Sequence, residues 1–131
     1  GVAQDEIGEL SQQADDPEVC SSICAVLAET DVINMVSRGI SGPNILKGVH
    51  VSMADRFVKM LKSLKMKTGV VMATGGLALD SGLIAAFKEC AEKQRMKVDI
   101  RSCEDSIYAG AIGAAIWGAY RYEKLRQRQA A

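Results

Sequence analysis

The sequence has no excess of charge of either sign and few aromatic side chains. Basic and acidic residues number 16 each, a balance that argues against nucleic acid or an acidic membrane as the partner. The longest apolar run, residues 107–120, is shorter than the roughly 20 residues that span a bilayer, so we expect a buried helix there. No basic segment leads into an apolar core at the start of the sequence, so we infer no secretory signal and a cytoplasmic protein.

The sequence has four cysteines and one histidine. The cysteines, with few aromatic and many aliphatic residues around them, do not resemble a secreted disulfide scaffold, so free thiols or metal ligands are favoured. These residues are Cys20, Cys24, Cys90 and Cys103. The single histidine, His50, has no carboxylate nearby in the sequence, and we expect it at the surface or partly packed rather than in a catalytic role.

The length of 131 residues fits one domain. Because the chain starts at Gly1 with a helical pattern close behind, we expect an upstream part to be missing. Apolar periodicity and capping residues predict helices over residues 5–14, 29–38, 45–64 and 81–93, and a last helix from residue 105. Strands are expected near residue 70 and at 97–101. The middle of residues 19–27 is expected to be extended. The longest helix is expected to bury Val49, Met53, Phe57, Met60, Leu61 and Leu64. The alternation in the second half predicts parallel strands joined by right-handed crossover helices.

One stretch organises the second half of the chain. A strand that we expect to be buried ends at Gly75 and Gly76, and a helix capped by Asp80 or Ser81 follows. Residues without a Cβ let the backbone approach a ligand, and a helix start offers free N–H groups to it. Taken alone, a glycine pair after a strand is more often a simple turn.

Four segments in this order resemble the C-terminal half of the BadF/BadG-type ATPases. They are residues 21–32, 44–56, 74–80 and 108–115. This family includes ATPase subunits of benzoyl-CoA reductase and activators of 2-hydroxyacyl-CoA dehydratases, and the resemblance covers about residues 1–125. Asp80 and the tail of residues 116–125 look closer to the reductase side.

The resemblance implies an α/β fold. Residues 1–131 would be the C-terminal part of the second lobe of an actin/Hsp70/sugar-kinase-like (RNase H-like) ATPase, with short parallel strands and crossover helices. ATP or ADP with Mg²⁺ would lie between two lobes, at Gly75, Gly76, Leu77 and Asp80. The helix from Ile107 would connect the moving lobes. The first lobe and its phosphate motifs are absent from these residues, so no catalytic residue is assigned.

The resemblance also implies an iron–sulfur centre. Cys24 matches a cysteine that ligates a [4Fe-4S] cluster shared with a homologous ATPase subunit, whereas Cys20 and Cys103 are not singled out. The implied function couples ATP hydrolysis to low-potential electron transfer for the reductive dearomatisation of benzoyl-CoA, with reductase subunits as partners. Alternatives are a dehydratase activator, a kinase relative of the same fold or a non-catalytic α/β interaction domain. Lys47 and Glu29 are further candidates for nucleotide contact.

Overall fold

The computed structural model describes residues 2–129. Their secondary structure consists of helices, two strands and a 3-10 turn. In chain order the elements are α1 (Ile7–Gln12), α2 (Ala25–Ser37), α3 (Gly42–Ser63), β1 (Thr68–Met72), α4 (Ser81–Lys93), β2 (Lys97–Arg101), the 3-10 turn (Glu104–Tyr108) and α5 (Ala109–Gln129).

The two strands pair in parallel, from Thr68 opposite Lys97 to Met72 opposite Arg101. Helix α4 connects them, as parallel neighbours require. The predicted bounds of α4 and β2 are confirmed. The expectation of a buried first strand is wrong for the described chain: Val71 packs against the core, but Val70 and Met72 are 55% and 54% exposed. Alternate residues of a strand point to opposite faces of the sheet, and only the face of Val71 is covered.

The main core lies between α3, α4 and β2. Phe57 and Phe87 pack with their ring centroids 4.8 Å apart. Within α3 the buried stripe is shifted from the predicted one: Leu61 is buried as expected, but Met53, Met60 and Leu64 are exposed. Their expected places in the core are taken by Ala54 and Val58, because apolar periodicity locates a buried face only to within about one residue. The buried core residues are Ala54, Val58, Leu61, Leu83, Ala86, Phe87, Cys90, Ala91, Met96 and Ile100.

The chain divides into two compact units. Residues 2–72 and 80–101 form the first unit, and residues 73–79 and 102–129 form the second. In the second unit no described side chain of α5 is buried, and Trp117 is 61% exposed. The expectation of a buried helix over 107–120 is therefore wrong for the described chain, since an apolar stripe is buried only where another surface covers it. No helix within residues 2–129 combines the length and hydropathy needed to cross a bilayer.

Candidate functional site

The loop after β1 makes its tight turn at Gly75. This residue has a φ of +100°, a conformation that residues with a Cβ rarely adopt. Its N–H donates to the carbonyl oxygen of Ser106 at 2.9 Å. Apart from the glycine itself and its two chain neighbours, no described residue has an atom within 4 Å of the place a Cβ would take on Gly75 or on Gly76. The predicted turn is therefore present, with open space beside both glycines and an exposed Leu77 next to them.

Asp80 caps helix α4, as one of the two predicted candidates. Its Oδ1 accepts the backbone N–H of Leu83 at 2.9 Å. Its Oδ2 lies 3.5 Å from Nε2 of His50, and the Asp80 side chain is only 10% exposed. Both carboxylate oxygens thus face protein groups. The structure gives Asp80 a structural role, and its contact with a nucleotide stays a prediction.

His50 joins three helical segments of the first unit. It lies on α3, its Nδ1 is 3.0 Å from the hydroxyl of Ser11 on α1, and its Nε2 faces Asp80 at the start of α4. The expectation of a surface or partly packed position is wrong, because His50 is only 5% exposed. Burial lowers the pKa of His50, the charge of Asp80 opposes that shift, and Lys47 adds to it.

The grouping of serine, histidine and aspartate does not form a hydrolytic site. Ser11 is fully buried, and its hydroxyl also bonds the carbonyl oxygen of Gly8 at 2.9 Å, so a substrate has no path to it. Gly82 completes the packing, since a Cβ there would overlap Ser11. Sequence reasoning missed this cluster because its members are far apart along the chain. The group therefore acts as a buried polar link among α1, α3 and α4.

Cys24 stands at the N-terminal end of α2. Its backbone is extended, with φ −154° and ψ 162°, and its side chain is exposed. Helix α2 begins at Ala25 rather than Glu29, so the predicted extended segment ends earlier than expected. The uniformly apolar residues 25–27 gave no periodicity to distinguish helix from strand. Cys24 is thus the residue just before the first turn of α2, whose N–H groups have no partner within the helix.

The other three cysteines lie at different places in the fold. Cys20 is buried, and its sulfur lies 3.5 Å from the hydroxyl of Ser52. Cys90 is buried in the core, and burial raises the pKa of its thiol. Cys103 starts the 3-10 turn. Within residues 2–129 no three His, Cys, Asp or Glu side chains are grouped closely enough to hold a metal ion.

The remaining candidates are placed as follows. Lys47 on α3 forms an ion pair with Glu89 on α4, with Nζ and Oε1 2.7 Å apart, so its charge is already partnered. Glu29 is exposed on α2. The residues predicted to bind nucleotide fall in both units, with Gly75, Gly76 and Leu77 in the second and Asp80 in the first.

Comparison with known proteins supplies the family. A profile described as the BadF/BadG/BcrA/BcrD ATPase family matches residues 1–118. The chain belongs to this family. It is 67% identical to a benzoyl-CoA reductase subunit of Thauera aromatica over 125 residues, which are 95% of this chain and 44% of that protein. It is 37% identical to the activator of lactoyl-CoA dehydratase of Anaerotignum propionicum, over 95% of this chain and 44% of that protein.

A solved structure agrees on the fold. The activator of the 2-hydroxyisocaproyl-CoA dehydratase from Clostridium difficile, with bound ADPNP, superimposes with a TM-score of 0.72 at 26% identity. The match covers 97% of this chain and 45% of that one. The predicted family and the predicted actin-like ATPase fold are both confirmed. The chain spans less than half the length of these curated relatives.

The buried histidine predicts a pH-dependent stability. Because the folded-state pKa of His50 is lowered, the unfolded chain binds a proton below about pH 6.5 that the folded chain does not. The free energy of unfolding should therefore fall below that pH, by up to about 1.4 kcal/mol per pH unit, until the pH drops past the lowered pKa. Urea unfolding from about pH 5 to 8 measures this, with H50Q as the variant that lacks the group. The stability advantage of the wild type over H50Q should shrink on acidification, and parallel pH curves would contradict the assignment.

Proposed function

We propose that this chain is part of an ATP-binding iron–sulfur subunit of a benzoyl-CoA reductase. In that subunit, ATP hydrolysis is coupled to low-potential electron transfer for reductive dearomatisation of the aromatic thioester. The observation that carries the proposal is the 67% identity to a benzoyl-CoA reductase subunit, against 37% to a dehydratase activator. Because the chain spans less than half of those relatives, the activity proposed is that of the whole protein.

The nucleotide side of the proposal rests on the glycine turn. ADPNP is bound in the related activator from Clostridium difficile, and we propose ATP or ADP with Mg²⁺ for this protein. The open space beside Gly75 and Gly76 suits close approach of a flat group to the backbone. Leu77 adds an exposed apolar side chain at the same turn. Asp80 would support this region by capping α4.

The thiol side rests on Cys24. A [4Fe-4S] cluster takes thiolate ligands, usually four, and supplies a low-potential redox centre. Cys24 fits as one such ligand, since its thiol is exposed and stands at a helix start, whose N–H groups favour negative charge. The described residues offer no complete ligand set, so the others would come from outside residues 2–129, including a homologous ATPase subunit.

The coupling is proposed to act through lobe movement. Nucleotide binding and hydrolysis would rotate two lobes about α5, which begins at Ala109 and not at the predicted Ile107. This motion would alter the surroundings of Cys24. Solvent access and hydrogen bonds to sulfur are the means by which a protein adjusts the potential of such a centre. Partner subunits that bind benzoyl-CoA would receive the electron.

A dehydratase activator is the second candidate. It is favoured by the identity of 37% to the lactoyl-CoA dehydratase activator and by the fold shared with a second activator. The two candidate functions differ in the partner protein that accepts the electron. Full-length protein prepared without oxygen should support ATP-dependent reduction of a benzoyl-CoA-binding partner, whereas activation of a 2-hydroxyacyl-CoA dehydratase alone would favour the second candidate.

The ligand assignment predicts different behaviour for two exposed cysteines. In the full-length protein, Cys24→Ser should lose most of its iron, because a hydroxyl is a poor substitute for a thiolate at iron. Cys103→Ser is the matched control, since it changes another exposed thiol and should keep the wild-type iron content. Iron analysis of anaerobic preparations is the measurement. An unchanged iron content in Cys24→Ser would remove the assignment.

The proposed role of the glycine turn predicts that a substitution there lowers nucleotide affinity without lowering the stability of the fold. A Cβ at Gly76 meets open space, so Gly76→Ala should leave the free energy of unfolding within about 0.5 kcal/mol of wild type. The methyl group would instead occupy space needed by a bound nucleotide and weaken ADP binding about tenfold, equivalent to about 1.4 kcal/mol. Calorimetric titration of the full-length protein with MgADP measures this. Gly42→Ala, which also meets open space, is the control, and equal ADP affinity in both variants would contradict the placement.

A further inference from the structure

The segment before Cys24 lies along one face of α3. The carbonyl oxygen of Glu18 occupies the space where a Cβ on Gly48 would stand. One turn later, the hydroxyl of Ser52 bonds the carbonyl oxygen of Cys20 at 2.6 Å. Positions four apart on a helix face the same way, so α3 presents these contacts in a row.

The row ends at Arg56, one further turn along α3. Its Nη1 donates to the carbonyl oxygen of Ser22 at 3.0 Å. The carbonyl groups of residues 18, 20 and 22 therefore meet residues 48, 52 and 56 in register. Arg56 makes the last of these three contacts before Cys24. It also lines, together with Cys24, a cavity of about 320 Å³.

Helix α2 and the residue after it also contact the same segment. Asp31 accepts the backbone N–H of Ser21 at 2.7 Å. Arg38, at the end of α2, pairs with the side chain of Glu18. Since α3 and α2 both bond the segment, the backbone that leads into Cys24 has little freedom to shift while these contacts persist.

Arginine suits the last position because its planar guanidinium carries several donors in a fixed arrangement. One N–H group binds the carbonyl oxygen of Ser22, while the rest of the guanidinium remains exposed beside the cavity. A lysine at position 56 would keep the positive charge but would lack the planar set of several N–H donors.

We propose that Arg56 is a positioning residue for Cys24: it fixes the backbone at Ser22 and places a positive charge in the cavity that Cys24 also lines. The proposal rests on the function proposed above, in which Cys24 is a cluster ligand. Neighbours that orient a ligand commonly change metal affinity about 10- to 100-fold when they are removed.

The test uses full-length protein prepared without oxygen, in wild-type form and as R56Q, R56K and K62Q. Amide hydrogen exchange in a peptide covering residues 20–28 should become about fivefold faster in R56Q, the effect of losing one hydrogen bond of about 1 kcal/mol. Release of iron to a chelator should become at least about tenfold faster. R56K should restore part of the iron retention because it keeps the charge and one donor. K62Q removes an exposed charge from the same helix and should match wild type.

Two results would overturn the proposal. One is wild-type exchange and iron retention in R56Q. The other is faster exchange in R56Q with unchanged iron retention, which would make Arg56 a structural contact only. Failure of the proposed function looks different: wild-type protein without iron, or full iron in Cys24→Ser, would remove the cluster assignment, while hydrogen exchange of R56Q would still measure whether Arg56 fixes the segment.

Discussion

The backbone of residues 18–22 lies directly on α3, and the placement of the segment that leads into Cys24 depends on this contact. One face of α3 packs Val58 and Leu61 into the core with α4 and β2. Another carries Gly48, with no side chain, where the carbonyl group of Glu18 comes closest. The same helix therefore supports both the hydrophobic core and the segment that leads to Cys24, so the backbone before Cys24 is attached to the core.

The start of α4 is tied to the same helix by buried polar groups. His50 on α3 meets Asp80, and Asp80 in turn caps α4. Buried polar groups of this kind are stabilising only while every member has its partner, because an unpaired one keeps the full cost of desolvation. Two segments to which the proposal assigns function, at Cys24 and at Asp80, thus depend on a single helix of the first unit.

The sequence was sufficient where local rules determine structure. Asp80 as cap and the alternation of strand and helix predicted α4 and β2 with their observed bounds. The sequence was insufficient where contacts between distant segments determine the environment of a residue. Nothing in the local pattern shows that His50 is buried against Ser11 and Asp80, which are 39 and 30 positions away. Nor does it show that the carbonyl group of Glu18 approaches Gly48 closely. The family resemblance, carried by four ordered segments, was confirmed. The roles of Cys24 and of Gly75 remain predictions, because they concern ligands.

The most direct test of the account is the free energy of unfolding of Gly48→Ala, measured by chemical denaturation. In an ordinary helix interior this change is stabilising, by about 0.5–1 kcal/mol. If the carbonyl group of Glu18 fills the space beside Gly48, the added methyl group overpacks the contact and the variant should instead be less stable, by about 1–3 kcal/mol. A variant as stable as wild type, or more stable, would contradict the placement of residues 18–22 on α3.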